Sequence, residues 1–226
     1  KAAKASKDLT IGKGIQKMFI PLDTAAGSKS KLSTGSLKEK NFEIFGYYEG
    51  AKGVSGDYWD FRSINSRYYY FIKCDVSGKG VPAALIMVQV ATMVINYFNA
   101  WKVSMPATFD LADLAYKIND FLEERQFPGR FAAFTLGVWD AEAGKAYICH
   151  AGDNKLPIWN ARKAELVNDI LPESPAAGPL ASFMIQMRQP YKQVVRSIER
   201  GDILFLYTDG IDEARRRLRN SDFAVF

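Results

Sequence analysis

Three aspartates in this 226-residue chain stand where chemistry could take place, because each lies at the end of a predicted strand and close to a glycine. Asp57 directly follows a glycine, Asp75 precedes a turn with two glycines, and Asp209 directly precedes a glycine. A carboxylate beside a tight turn can hold a hard divalent cation through its oxygens, with backbone carbonyls as further ligands. Asp75 alone is equally compatible with a turn cap. Three aspartates of this kind favour a shared metal site.

The glycine-bearing turn at 77–80 allows two other interpretations, and its spacing excludes both. A phosphate-binding loop needs a glycine five positions before the Gly78–Lys79 pair and a Ser or Thr after it. Lys73 and Gly80 occupy those positions. A calcium-binding EF-hand needs alternating carboxylates and a closing Glu, which this stretch lacks.

The segments around these aspartates predict an α+β fold. Residues rich in aromatic and β-branched side chains predict strands near 42–49, 57–64 and 67–75. Helical spacing of apolar residues predicts helices at 81–101 and 109–126. Strand texture then returns in FAAFTLGVWD, KAYICHAG, KLPIWN and DILFLYTDG. The predicted order is therefore strands, then two helices, then strands again. This order differs from the regular strand–helix alternation of a parallel α/β sheet.

The helix at 81–101 carries no charge over a length that could cross a bilayer. Its polar residues nevertheless fall on one stripe, because they are spaced by three and four positions. These residues are Gln89, Thr92, Asn96 and Asn99. The pattern predicts a buried helix of a soluble protein with one wet edge, and no membrane insertion of this segment.

The net charge of +5 is concentrated at the start of the chain, where residues 1–40 hold nine lysines. We expect this region to be a basic linker with one docking segment, IQKMFIPL, that precedes the folded part at 41–226. The folded part is close to neutral, which argues against a nucleic-acid partner. The two cysteines, Cys74 and Cys149, exclude a disulfide framework, and with no apolar signal segment at the start they favour a cytoplasmic location.

Four motifs together carry a resemblance to a known family: GAKGVSGDYWDF, DVSGKGVPAALIM, the strand ending CHAGDN, and GDILFLYTDGIDEA. Their order and spacing resemble the bacterial metal-dependent protein phosphatases (PPM family, protein phosphatase 2C-like) of the SpoIIE and RsbU type. The resemblance covers roughly Ile15 to Ala214. It implies an αββα sandwich, in which two antiparallel β-sheets are flanked by helices.

The resemblance also implies a metal site with two Mn²⁺ or Mg²⁺ ions. In the family, the aspartate matching Asp75 bridges the ions, and the backbone carbonyl matching Val76 assists. The aspartates matching Asp57 and Asp209 complete parts of the metal coordination shell. The three aspartates are then catalytic through a metal-activated water. Two such ions lower the pKa of a bound water and clamp the phosphoryl oxygens. Residues expected beside the substrate or behind the metal ligands are Gly78, Lys79, Gly80, Asp153 and Asn154.

The sequence departs from the family pattern at several positions. Asp153 stands where the family commonly has a histidine, and His150 is interpreted as a strand residue. Asp60 is expected to point away from Asp57, because neighbours along a strand alternate between faces. Family members carry a further Asp-Asp pair downstream, so we expect the C-terminal part of the domain to be missing and the metal site weakened. Of the residues that could substitute for this pair, Asp212 and Glu213 follow Asp209 too closely, and Asp222 lacks the motif.

The leading hypothesis is a cytoplasmic serine/threonine protein phosphatase domain, the output end of a longer bacterial signalling protein. The resemblance implies a phosphorylated anti-anti-sigma (STAS-domain) protein as substrate, in a partner-switching pathway. It also implies a fused or associated sensor, which could make this the cytoplasmic part of a larger membrane protein, and a homodimer is possible in principle. The basic run Arg215–Arg219 is either a solvated helix face or a patch that steers an anionic phosphoprotein. The alternative is a non-catalytic PPM-like binding module, which Asp153 and the absent Asp pair favour.

Overall fold

The computed structural model describes the backbone of residues 2–28, 30–50, 53–212, 215–218 and 221–225, and side chains within 6–28, 30–50 and 53–211. The helices are α1 (Ala2–Lys17), α2 (Val81–Val103), α3 (Ala112–Arg125), α4 (Ser182–Arg188) and α5 (Asp209–Asp212). The strands are β1 (Thr34–Lys38), β2 (Glu43–Tyr47), β3 (Asp57–Ser63), β4 (Tyr68–Val76), β5 (Ala132–Asp140), β6 (Lys145–Ala151), β7 (Lys155–Asn160), β8 (Glu165–Ile170), β9 (Val194–Ser197), β10 (Ile203–Leu204), β11 (Arg215–Leu218) and β12 (Ser221–Val225).

A five-stranded antiparallel sheet of order β3-β4-β5-β6-β9 is the centre of the fold. Its first face carries the main core, in which Tyr70 stacks on Phe98 of α2 at 4.4 Å between ring centroids. The opposite face contributes Ile148 to a smaller core with Leu156 and Leu171, beside the three-stranded sheet β10-β7-β8. Helices therefore pack on one face of the central sheet and a second antiparallel sheet on the other, which confirms the predicted α+β class.

The helix α2 is a core element. Among the described residues it is the one helix whose length and composition would suffice to cross a membrane. Its apolar residues are buried along one side, including Met87, Val90 and Phe98. The predicted polar stripe at Gln89, Thr92, Asn96 and Asn99 is exposed, so the observed packing is that of a core helix with one wet edge.

The start of the chain differs from the predicted linker at 1–40. Residues 2–17 form α1, and β1 pairs with β2 from Thr34↔Tyr47 to Lys38↔Glu43. Within the expected docking segment, Ile20 and Leu22 are 1% and 3% exposed and belong to the main core. The high content of Lys, Gly and Ser suggested a linker, but burial of these apolar side chains and the strand pairing build the region into the domain.

Several elements depart from the pattern-based prediction. The strand expected over DILFLYTDG is limited to Ile203–Leu204, and residues 205–208 line a cleft. The prediction did not include β8, whose residues are mostly exposed and show no strict alternation of apolar and polar side chains, or α4, which is too short to show a helical period. The tail at 215–218 is a strand paired with 221–225, not a helix.

Asp60 points to the helix-facing side of the central sheet, away from Asp57, as expected from strand alternation. It is 1% exposed and accepts hydrogen bonds from the hydroxyls of Tyr58 (3.1 Å) and Tyr70 (3.0 Å) and from Nε of Arg62 (3.0 Å). Burial raises the pKa of the Asp60 carboxyl, and the bonds from Arg62 and the two tyrosines oppose that rise. Asp60 is therefore a structural anchor of the β3–β4 pair.

Asp60→Ala is expected to lower the free energy of unfolding by about 2–4 kcal/mol, because it leaves two buried hydroxyls and part of a guanidinium without their acceptor. Urea unfolding of the metal-free protein measures this loss. Activity per folded molecule is expected to stay close to wild type at low temperature. A neutral effect on stability would contradict the structural role.

Candidate active site

Asp57 and Asp75 face each other across the β3–β4 pair. They are directly opposed in the strand register, and both side chains are half-buried. Directly opposed residues of an antiparallel pair bring their Cβ atoms to about 4.5–5.5 Å, and like charges placed so are destabilising. This end of the hairpin therefore favours a bound cation or a bound proton.

Asp209 adds a third carboxylate at the start of α5. It hydrogen-bonds to Asp75 and acts electrostatically on both other aspartates. Burial, followed by the charges of Asp57 and Asp209, raises the pKa of Asp75 to about 7. Burial and then the charge of Asp209 also raise the pKa of Asp57, while a hydrogen bond from Ser55 and the charge of Lys73 act in the opposite direction. The structure thus brings the three predicted aspartates together.

The turn after Asp75 has a glycine-dependent backbone. Gly78 and Gly80 have φ of +89° and +72°, which residues with a Cβ adopt only at a cost. A side chain on Gly78 would also collide with the guanidinium of Arg130, whose Nη1 donates to the Ser77 carbonyl at 2.8 Å. A side chain at Gly56 would collide with the Val76 carbonyl oxygen, so this glycine leaves the predicted backbone ligand uncovered.

A cleft of about 220 Å³ opens beside these carboxylates. Asp75, Asp209 and Asp153 line it together with two cations, Lys73 and Lys155. The remaining lining comes from Ala133, Gly152 and the segment 205–208. Of the other predicted site residues, Asp57 and Val76 lie outside this lining, and so does the turn at 78–80. Asn154 is also outside it, and its carbonyl accepts from the amide of Leu171 at 2.8 Å.

The family model of Stage II sporulation protein E (SpoIIE) matches residues 65–226, well over half of the chain. The chain belongs to the SpoIIE family. This confirms the resemblance found in the sequence motifs. The site just described is therefore that of a domain related to the RsbU and SpoIIE phosphatases.

Two curated relatives share the sequence at low identity. Protein IcfG of Synechocystis sp. (strain ATCC 27184 / PCC 6803 / Kazusa) is 25% identical over 233 residues, covering 92% of this chain and 33% of the relative. Phosphoserine phosphatase RsbU of Bacillus subtilis (strain 168) is 25% identical over 202 residues, covering 88% of this chain and 56% of the relative. The chain thus spans only a third to about half of the length of these relatives.

Solved structures show the same fold. The SiaA-PP2C domain of Pseudomonas aeruginosa superimposes with a TM-score of 0.66 at 17% identity, over 98% of this chain and 78% of that one. RsbX, crystallised in complex with magnesium, gives a TM-score of 0.60 at 18% identity, over 79% of each chain. The SpoIIE-family chain therefore has the PPM phosphatase fold, as the resemblance implied.

Asp153 lies in an ion pair at the floor of the cleft in this SpoIIE-family domain. Its Oδ2 is 2.5 Å from Nζ of Lys73 and accepts a hydrogen bond of 2.5 Å from the Thr135 hydroxyl. The backbone amide of Asp153 donates to Nδ1 of His150 at 3.2 Å. Nε2 of His150 lies 2.7 Å from the Pro172 carbonyl, so the ring is a neutral support of the loop. Burial also lowers the pKa of His150, in keeping with its predicted role as a strand residue.

Sequence reasoning missed Lys73 and Thr135, which share the cleft face with Asp75. A signal for Lys73 exists in the sequence. It is a lysine inside the aromatic and apolar run RYYYFIKCD, two positions before Asp75 and hence on the same strand face. Thr135 carries no such signal, because its importance comes only from its register opposite Lys73.

The residues weighed as substitutes for the family's downstream Asp pair cannot be placed in the site. The side chains of Asp212, Glu213 and Asp222 lie outside the described residues. The same holds for the side chains of the basic run Arg215–Arg219. The backbone of 215–218 is a strand, so the interpretation as a helix face is wrong. The interpretation as a patch that steers an anionic phosphoprotein remains a prediction.

The described donors suit a hard divalent cation. They are carboxylate oxygens, the ligands that Mg²⁺ and Mn²⁺ prefer. Burial, followed by the charges of Asp57 and Asp209, raises the pKa of Asp75. Among the described residues, no three ligand-type side chains already stand in coordinating positions. Asp209 is the exposed member of the three aspartates.

Proposed function

We propose that this SpoIIE-family domain is a Mn²⁺- or Mg²⁺-dependent serine/threonine protein phosphatase that binds two ions. One observation carries the proposal. Two half-buried aspartates oppose each other across β3 and β4, and a third interacts with both, beside a cleft of about 220 Å³. If Asp57 and Asp75 had only a structural role, the repulsion between their two carboxylates would not be compensated by a bound cation.

The residue roles follow from their positions. Asp57, Asp75, Asp209 and the Val76 carbonyl would hold the ions. The ions, when bound, supply an activated water and charge stabilisation for in-line attack on a phosphoryl group. The turn Gly78–Lys79–Gly80 shapes the edge of the site, and Asp153 with Asn154 supports it from behind. No cysteine nucleophile is needed, and both cysteines are buried with raised pKa values.

Phosphoserine in a protein is the substrate class that the comparisons favour. A relative of this chain is named as a phosphoserine phosphatase. By the family resemblance, the substrate is a phosphorylated STAS-domain anti-anti-sigma protein in a cytoplasmic partner-switching pathway. By the same resemblance, a fused or associated sensor domain is the source of input. Pairing of two copies of this domain is also part of this proposal.

The test is hydrolysis of a phosphoserine-bearing STAS protein by the chain in Mn²⁺ or Mg²⁺, with a phosphotyrosine peptide as the matched control substrate. The proposal expects metal-dependent release of phosphate from serine and at most slow release from tyrosine. Binding of the STAS protein without any turnover would overturn it and leave the non-catalytic binding module as the account of this domain.

A further inference from the structure

Lys73 is a buried cation in the catalytic cleft. It lies on the same face of β4 as Asp75 and is directly opposite Thr135 on β5. The residue is 8% exposed, yet it lines the cleft together with Asp75 and Asp209. Its charge acts on both Asp57 and Asp75. The ammonium is thus close to the place where the reaction is proposed to occur.

The surroundings of Lys73 fix its position. Asp153 pairs with Nζ, and the Thr135 hydroxyl donates to the same carboxylate oxygen. His150 in turn accepts from the Asp153 amide, and Ser174 donates its hydroxyl to the His150 carbonyl at 3.0 Å. Carboxylate, hydroxyl and imidazole therefore form a connected support under one ammonium group.

Stability alone does not account for an ion pair at this place. Burying two charges is costly, and apolar residues of similar volume commonly do as well or better. The pair is neutral as a unit, so Lys73 offsets only part of the charge of Asp57 and Asp75. What the pair does supply is a preorganised donor at the cleft floor. An ammonium has three N–H donors, and pairing with one oxygen of Asp153 uses one.

We propose that Lys73 binds a phosphoryl oxygen of the substrate, and of the phosphate product, with Asp153 and Thr135 holding the ammonium in place. This inference rests on the proposed phosphatase function and assigns the recognition of the phosphoryl group to a side chain as well as to the metal ions. A phosphate dianion entering a cleft with three carboxylates meets repulsion. A fixed cation beside them offsets part of it in a site with limited access to water.

The test compares Lys73→Met with Lys155→Met in the full chain. Lys155 lines the same cleft but is exposed, so its substitution removes an equal charge without removing the buried donor. Inorganic phosphate is titrated calorimetrically into the Mg²⁺-loaded protein, and its inhibition constant is measured in the hydrolysis assay. The Mg²⁺ and Mn²⁺ dissociation constants are measured separately without phosphate.

Lys73→Met is expected to weaken phosphate binding roughly tenfold to hundredfold, the range for a hydrogen bond to a charged group. The metal dissociation constant is expected to stay the same or to fall, because a neighbouring cation is lost. Lys155→Met is expected to change phosphate binding less than threefold, as for a screened surface charge. The double variant Lys73→Met with Asp153→Asn also removes the half-buried carboxylate that Lys73→Met leaves unpaired. It therefore tests the same loss where the single variant folds poorly.

Equal phosphate affinity in wild type and in both Lys73 variants would overturn the inference, and so would an equal loss in Lys155→Met. Loss of metal binding in Lys73→Met would also overturn the inference, because Lys73 would then act on the metal ligands and not on the phosphoryl group. A wild-type chain with Lys73-dependent phosphate binding but no turnover would overturn the phosphatase function alone. Turnover that is insensitive to Lys73 would overturn only the role of Lys73.

Discussion

Asp75→Asn is expected to lower kcat/KM for phosphoserine-protein hydrolysis on the order of 10³-fold or more, because it removes the carboxylate on which the proposed metal centre depends. The substitution keeps the shape of the side chain and removes its charge. Asp75 is opposed by Asp57 and bonded to Asp209, so no other described side chain occupies its position between them. Steady-state kinetics over a range of Mn²⁺ concentrations measures the loss.

The same substitution is expected to stabilise the metal-free protein at pH 8. The charged form of the Asp75 side chain is disfavoured in the wild-type fold, because the pKa of Asp75 is raised to about 7. After allowance for the partial exposure of this residue, the gain is about 1–2 kcal/mol. Asp60→Asn is the matched control on the neighbouring strand, because it should lose stability and keep activity. Asp75→Asn with near wild-type kcat/KM would contradict the assignment.

Mn²⁺ is expected to raise the Tm of the wild-type chain by about 5–10 °C at pH 8 when present at a hundred times its Kd, from the mass-action stabilisation of a domain of this size. The increase should be much smaller at pH 5. Both Asp57 and Asp75 have raised pKa values, so protons compete with the ion at the lower pH. Thermal unfolding followed by circular dichroism measures both shifts.

The pH dependence of the metal-free protein has a definite sign. A carboxyl group whose pKa is raised on folding binds its proton more tightly in the folded state, so stability falls as pH rises. For Asp75 this decrease lies between about pH 4 and pH 7. Asp75→Asn should flatten that slope and abolish most of the Mn²⁺ shift. An equal Mn²⁺ shift at pH 5 and pH 8, or an unchanged shift in Asp75→Asn, would contradict the proposed ligand set.

Much of the fold follows from local patterns. Residues 57–64 and 67–75 were predicted as strands, and β3 and β4 differ from them by one residue at some ends. The predicted helix at 109–126 begins at Ala112 instead, where the Asp110 carboxylate accepts from the Ala112 amide at 2.9 Å. In these elements the apolar residues recur with a clear helix or strand period, and turn or capping residues mark the ends. The family motifs placed the three aspartates among these elements.

Other features depend on contacts between distant parts of the chain. The core role of Ile20 and Leu22 is hidden by a Lys-, Gly- and Ser-rich composition that is typical of linkers. Lys73 and Asp153 are paired although 80 positions separate them. That pairing results from the β4–β5–β6 register and the loop that follows β6, which no local pattern specifies. Periodicity predicts elements, whereas tertiary register decides which charges meet.

Manganese anomalous diffraction from crystals grown with Mn²⁺ would locate the ions in the proposed site. We expect two strong peaks, both ligated by oxygens from the set of Asp57, Asp75, Asp209 and the Val76 carbonyl, with Asp75 touching both. Peaks elsewhere on the surface, or none near Asp75 at saturating Mn²⁺, would contradict the proposed site.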